Sequence, residues 1–136
     1  MNKLSLTVLL GSLALAAPAL AADPAAGEKG FNKCKACHTV TLADGTVAVK
    51  GGKTGPDLGG VIGRPVASVA DFKYGDSILA VGATGAVWDE ASLAIYAADP
   101  TAWLKEKTGD DAAKSKMTFK LASGGEDIAA WLATQK

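Results

Sequence analysis

Cys34-Lys35-Ala36-Cys37-His38 is the stretch around which this chain is organised. Two cysteines separated by two residues and followed at once by histidine form the pattern of covalent c-type haem attachment. Each part has its own chemistry. The two thiols add across the two vinyl groups of a porphyrin, and the adjoining His38 is then held where an imidazole nitrogen can reach the iron. A bare Cys-x-x-Cys is weaker evidence, because thioredoxin-like redox sites and zinc knuckles share it. A structural zinc site takes four ligands, whereas the chain has two Cys and one His, so a carboxylate would have to complete the set. A dithiol that exchanges with other disulfides wants a βαβ setting and a thiol at a helix start, which the surrounding residues lack. Haem attachment is the leading reading, with a haem-free zinc or disulfide domain as the alternative.

The 136-residue chain opens like an export signal. Lys3 supplies a positive start, Leu4 to Leu15 an apolar run, and Ala19-Leu20-Ala21 ends in the small residues that suit signal peptidase. These features predict a leader over 1–21, cleaved after Ala21, and a single domain over 22–136 in the periplasm. The run is short for a membrane span and is soon followed by Pro18 and Asp23; an uncleaved anchor is the other possibility. Outside the cytoplasm two free cysteines oxidise to a disulfide unless something else occupies them. A domain of this size buries a modest core, and its few large aromatics leave room for a porphyrin to add apolar contact area.

Charge is balanced, with 14 Lys+Arg against 14 Asp+Glu, and loss of Lys3 tips the remainder slightly acidic. That balance argues against nucleic acid as a partner. The distribution is more informative. Lys33 and Lys35 flank the first cysteine, Lys50 and Lys53 precede Gly55-Pro56, and Lys114, Lys116 and Lys120 surround Met117, while the acids gather elsewhere. Convergence of the three basic stretches would give the molecule a positive face; without it they are solvated loop lysines.

Asp23-Pro24 predicts a short helix running into the cysteines, with Asp as cap and Pro in its first turn, and with Gly27 and Phe31 on one face. From Thr39 to Lys73 turn chemistry dominates, and Val47-Ala48-Val49 supports no more than a strand fragment. Further helices are expected over Asp76–Val81, Glu90–Ala98 capped by Asp89, and Pro100–Lys107 with Trp103 and Leu104 inward. The last is expected after Ser123-Gly124-Gly125-Glu126, which has capping-box spacing, with Ile128, Trp131 and Leu132 on one face. The architecture is therefore all-α with long irregular connections, which a large rigid ligand would help to order.

A haem iron bound by one histidine has an opposite position to fill. His38 is the only histidine, so a second imidazole is unavailable within one chain. With Met1 removed, Met117 is the sole methionine, in the polar, non-helical stretch Lys114-Ser115-Lys116-Met117-Thr118-Phe119. Methionine is commonly a core gap-filler, yet this setting suits it poorly to that role. A thioether favours Fe(II) and raises the reduction potential relative to a second imidazole.

In order along the chain, Cys34-Lys35-Ala36-Cys37-His38, Thr54-Gly55-Pro56-Asp57-Leu58, Gly63-Arg64, Phe72-Lys73-Tyr74, Trp88, Tyr96 with Pro100, and the Met117 stretch resemble the class I c-type cytochromes of the bacterial cytochrome c2 and cytochrome c-550 type. The resemblance covers Ala25 to Thr134. It implies a cytochrome c fold around one haem c joined through Cys34 and Cys37, with His38 and Met117 on the iron. It also implies that the Pro56 carbonyl accepts a hydrogen bond from His38, and that Arg64, Tyr74 and Trp88 surround the propionates. Tyr96 would sit beside the methionine sulfur, and Gly27, Phe31, Ile128 and Trp131 at the crossing of the first and last helices. Lys35, Lys53, Lys114, Lys116 and Lys120 would belong to a docking ring. Asp57 stands where asparagine is usual, Gly59-Gly60 is a bare turn, Ser115 replaces a more frequent threonine, and segments 41–53 and 105–114 are longer than in mitochondrial relatives.

The function so implied is that of a periplasmic, monomeric one-electron carrier rather than an enzyme, working between a bc1-type complex and an oxidase, a photosynthetic reaction centre or a reductase. A small haem peroxidase or gas-binding protein with an open iron site is the alternative.

Overall fold

The computed structural model describes residues 21–136, so the expected leader, apart from Ala21, lies outside the described residues. Helix α1 spans Pro24–Gly30, with the Asp23 side chain accepting the Ala25 N–H. It stops short of the cysteines. A 3₁₀ turn over Phe31–Lys33 intervenes, closed by the Cys34 N–H on the Phe31 carbonyl.

The loop that follows contains more structure than expected. Strand β1 (Val40–Thr41) pairs antiparallel with β2 (Val47–Val49), Val40 opposite Val49, so the strand fragment is one arm of a small hairpin. Its turn is built by Asp44-Gly45: the Asp44 carboxylate accepts the Thr46 N–H, and Gly45 takes φ +85°.

Helix α2 (Asp76–Ala83) continues through Gly82, where the sequence suggested an end. Helix α3 (Glu90–Ala98) carries the expected Asp89 cap, made reciprocal by the Ser92 hydroxyl, and α4 (Pro100–Thr108) is capped by Asp99. Helix α5 (Gly125–Thr134) departs from expectation at its start, because Gly124 (φ +83°), and no Ser123 capping box, precedes it. In that left-handed geometry the entering chain turns at the glycine, and Ser123 is not in line to cap.

The core forms where α1 packs on α5, α5 on α3, and α4 on α3 and α2. Gly27 makes the first contact possible: a Cβ there would lie 1.9 Å from the Asp127 carbonyl oxygen. Phe31 and Trp131 meet beside it with ring centroids 4.9 Å apart. The Asp23 N–H donates to the Asp127 carboxylate at 2.8 Å, fastening the two helix starts to each other. On the other side, Trp103 of α4 stacks on Trp88 (5.1 Å between centroids) with Tyr96 of α3 edge-on to both. Ile95, beside Tyr96 in sequence, is instead exposed. Among the described residues no helix is long and apolar enough to cross a membrane.

The two aspartate caps have a pH signature. Asp89 is held below the usual carboxylate range chiefly by the Ser92 N–H, and Asp99 chiefly by Lys120. A depressed folded pKa adds stability that is complete above the unfolded value, about 3.9, and is lost as pH falls through the lower folded value. The thermal midpoint should therefore drop across that acid window. Asp89→Asn and Asp99→Asn, which keep a capping oxygen without a titrating proton, should flatten the drop; an unchanged slope in both would refute the assignment.

Candidate haem site

The Cys37 and His38 N–H groups both reach back to the Cys34 carbonyl, at 3.1 and 3.0 Å, so the motif is one tight turn. His38 is 9 % exposed, and its Nδ1 lies 2.8 Å from the Pro56 carbonyl oxygen. A carbonyl can only accept, so Nδ1 carries the proton and Nε2 keeps its lone pair. Burial pushes the His38 pKa down, against the Pro56 hydrogen bond and the Asp57 charge, which leaves a neutral ring at pH 7. Gly55 lets the chain approach this closely: a Cβ there would stand 2.2 Å from His38 Cε1. Cys34 and Cys37 are unpaired, and burial raises the Cys34 pKa.

Both cysteines and His38 border a cavity of about 300 Å³ with a mainly apolar lining. Pro56, Arg64, Tyr74, Trp88, Tyr96 and Met117 border the same cavity, drawn from the loops after the motif, from α3 and from the irregular segment before α5. The Met117 N–H donates to the Ser115 hydroxyl oxygen at 3.1 Å, and that oxygen is 3.3 Å from the Tyr96 hydroxyl. Tyr96 is thus tied to the methionine segment through Ser115. Burial pushes the Tyr96 pKa up, so the phenol keeps its proton.

Arg64 is half-buried and donates to the Gly59 and Asp57 carbonyls at 3.0 and 2.8 Å. Burial lowers its pKa, and among the described residues no carboxylate forms an ion pair with it. The Tyr74 hydroxyl accepts the Val69 N–H at 3.2 Å, which leaves its own proton to donate. A cation and a phenol on the wall of a mainly apolar cavity suit a flat apolar ring that carries carboxylates.

The lysines divide. Lys114 and Lys116 border the cavity, together with Lys73, which the sequence reading left out of the basic set although it sits between Phe72 and Tyr74. Lys116 donates to the Lys73 and Tyr74 carbonyls at 3.1 and 3.2 Å, which pins the methionine segment to that loop. Lys35 and Lys53 are exposed but do not border the cavity. Lys120 is exposed and engaged by Asp99 at 2.6 Å.

The donor set fits a covalently bound haem: two thiols at the cavity edge, an imidazole lone pair and a thioether on its lining, and a cation without a carboxylate partner. Zinc is less well served. Among the described residues no group of three or more His, Cys, Asp and Glu is placed to hold a metal ion. A βαβ unit for dithiol exchange is also missing from the element order of the described residues.

The cytochrome c2 of Rhodobacter capsulatus is 56% identical to this chain over 133 residues, covering 97% of each. The chain belongs to the cytochrome c2 and c-550 family. The cytochrome c-550 of Paracoccus versutus is 58% identical over 135 residues, covering 96% of this chain and 88% of its own. The crystal structure of ferric cytochrome c-550 from that organism superposes on this cytochrome with a TM-score of 0.81 at 59% identity, over 84% of this chain and 98% of the other. No protein-family model matches the chain. The fold is therefore the mostly helical cytochrome c fold, and this cytochrome is an electron carrier whose cofactor is haem c, with Cys34 and Cys37 at the spacing that attaches it.

Proposed function

We propose that this cytochrome is a periplasmic one-electron shuttle whose haem would be held by His38 and Met117. The observation that carries the reading is the pairing, on one cavity, of an imidazole whose Nδ1 is committed to Pro56 with the sole thioether of the described residues. Bound there, haem supplies an Fe(III)/Fe(II) couple. The Pro56 carbonyl orients His38 and makes it a better donor. Met117, on a segment pinned by Ser115 and Lys116, would supply a soft thioether ligand that favours the reduced iron. With both ligands supplied by the chain itself, the iron would be closed to substrate, and no residue would have to be exchanged when one electron moves. Arg64, Tyr74 and Trp88 would stabilise the propionates, and Tyr96, tied through Ser115 to the Met117 backbone, would help to hold the thioether's segment.

The export signal, cleaved after Ala21, delivers the chain to the periplasm, where it works as a monomer. Electrons come from a bc1-type complex and pass to an oxidase, a photosynthetic reaction centre or a reductase. Docking is transient and steered by lysines, a mechanism that raises encounter rates and fades with salt. The test of the ligand set is the ferric spectrum, which should show the weak charge-transfer band of a His/Met haem at the red end. Its absence would favour an open-site peroxidase or gas-binding protein.

The lysines should not contribute equally. Lys114 borders the cavity, whereas Lys120 is already compensated by Asp99. Lys114→Gln should lower the association rate with the membrane donor more than Lys120→Gln does, and should flatten its decline with added salt. Equal effects, or a rate indifferent to salt in the parent protein, would remove the lysine face from the mechanism.

A further inference from the structure

Asp57 stands behind the residue that holds the histidine. Its backbone follows Pro56, and its side chain turns away from the cavity toward β1. Oδ1 accepts the Thr41 N–H at 2.9 Å and the Gly59 N–H at 2.8 Å, and Oδ2 accepts the Thr41 hydroxyl at 2.5 Å. Three donors fix the carboxylate in place. Arg64, the nearby cation, donates to the backbone carbonyls of Asp57 and Gly59 and forms no ion pair with the carboxylate. The charge is thus only partly compensated.

Hydrogen bonding alone does not require an acid at this position. An asparagine amide oxygen would accept both N–H groups, and its NH₂ would donate to the Thr41 hydroxyl, which is free to rotate. What the acid adds is one negative charge on the His38 side of the cavity. We propose that Asp57 sets the redox equilibrium through its charge, its fixed carboxylate biasing the iron toward the ferric state. The inference rests on the haem reading above. No bond forms or breaks: the iron gains or loses one electron to a redox partner, and a nearby negative charge stabilises the more positive form.

The test is the reduction midpoint of the purified holoprotein and of its Asp57→Asn variant at one ionic strength, with the red charge-transfer band recorded for each. The variant should shift the equilibrium toward the reduced form by roughly threefold to tenfold, which is about 30–60 mV upward at 59 mV per tenfold. A variant with the parent's band and an unchanged or lower midpoint overturns the proposal. Should Asp57→Asn fail to retain haem, Thr41→Val decides instead. It removes one donor and leaves the carboxylate less neutralised, so the midpoint should move down, by roughly twofold in the equilibrium; no shift, or an upward one, overturns the proposal. The parent's own spectrum judges the His/Met ligand set separately, since only the difference between variant and parent judges Asp57.

Discussion

Met117→Ala should abolish the red charge-transfer band of the ferric protein and lower its reduction potential by more than about 100 mV, because axial ligands set haem potentials over a range of about 0.8 V. Alanine has no donor atom, and among the described residues there is no other methionine and no second histidine to replace it. The neighbouring anchors should survive the substitution. The residue 117 N–H would still donate to the Ser115 hydroxyl, and Lys116 would still hold the Lys73 and Tyr74 carbonyls. The segment should therefore stay in place around a missing ligand, and small exogenous ligands such as imidazole should bind. A variant that retained both the band and the potential would mean that the sulfur is not on the iron.

The second large effect concerns stability. Gly27→Ala should destabilise the holoprotein by about 1–3 kcal/mol, the usual cost of forcing atoms into a well-packed contact. Helix propensity alone pulls the other way, since alanine is favoured over glycine by about 1 kcal/mol. The added Cβ, however, would fall 1.9 Å from the Asp127 carbonyl oxygen and 2.9 Å from the Ile128 nitrogen, both of them backbone atoms that cannot swing aside. Helices α1 and α5 must then part, which loosens the Phe31–Trp131 contact and strains the Asp23–Asp127 hydrogen bond. Gly30→Ala is the control. Its Cβ would meet only the Ile128 side chain, at 3.2 Å, which can rotate, so its effect should stay within about 1 kcal/mol. Denaturant unfolding of the two variants gives the comparison, and equal stability would show that the helix crossing tolerates more than the structure allows.

How far each part was legible follows from how local its cause is. Asp89 and Asp99-Pro100 fix the starts of α3 and α4 through atoms within three residues, and the structure begins both helices where the sequence placed them. The start of α5 was misread because Ser123 and Glu126 have the right spacing, while the backbone at Gly124 takes a conformation that spacing does not report. The β1–β2 pairing was missed for a related reason: three apolar residues carry too little pattern to name a partner across a turn. Lysine composition suggested a positive face, but Lys120 meets Asp99 across a separation of 21 residues, and no local signal announces that.

By itself the sequence determined the chemistry: two thiols, one imidazole and, past the expected leader, one thioether leave few uses for themselves once their types and order are read. It also determined the helical class, through caps and apolar periodicity that act over single turns. Only the tertiary structure decided that the Pro56 carbonyl meets His38 Nδ1, that Ser115 joins Tyr96 to the Met117 backbone, and that Asp57 turns its charge toward β1. These contacts span from 2 to 19 residues and depend on where loops come to rest, which is set by packing of the whole chain and not by the preferences of any short segment.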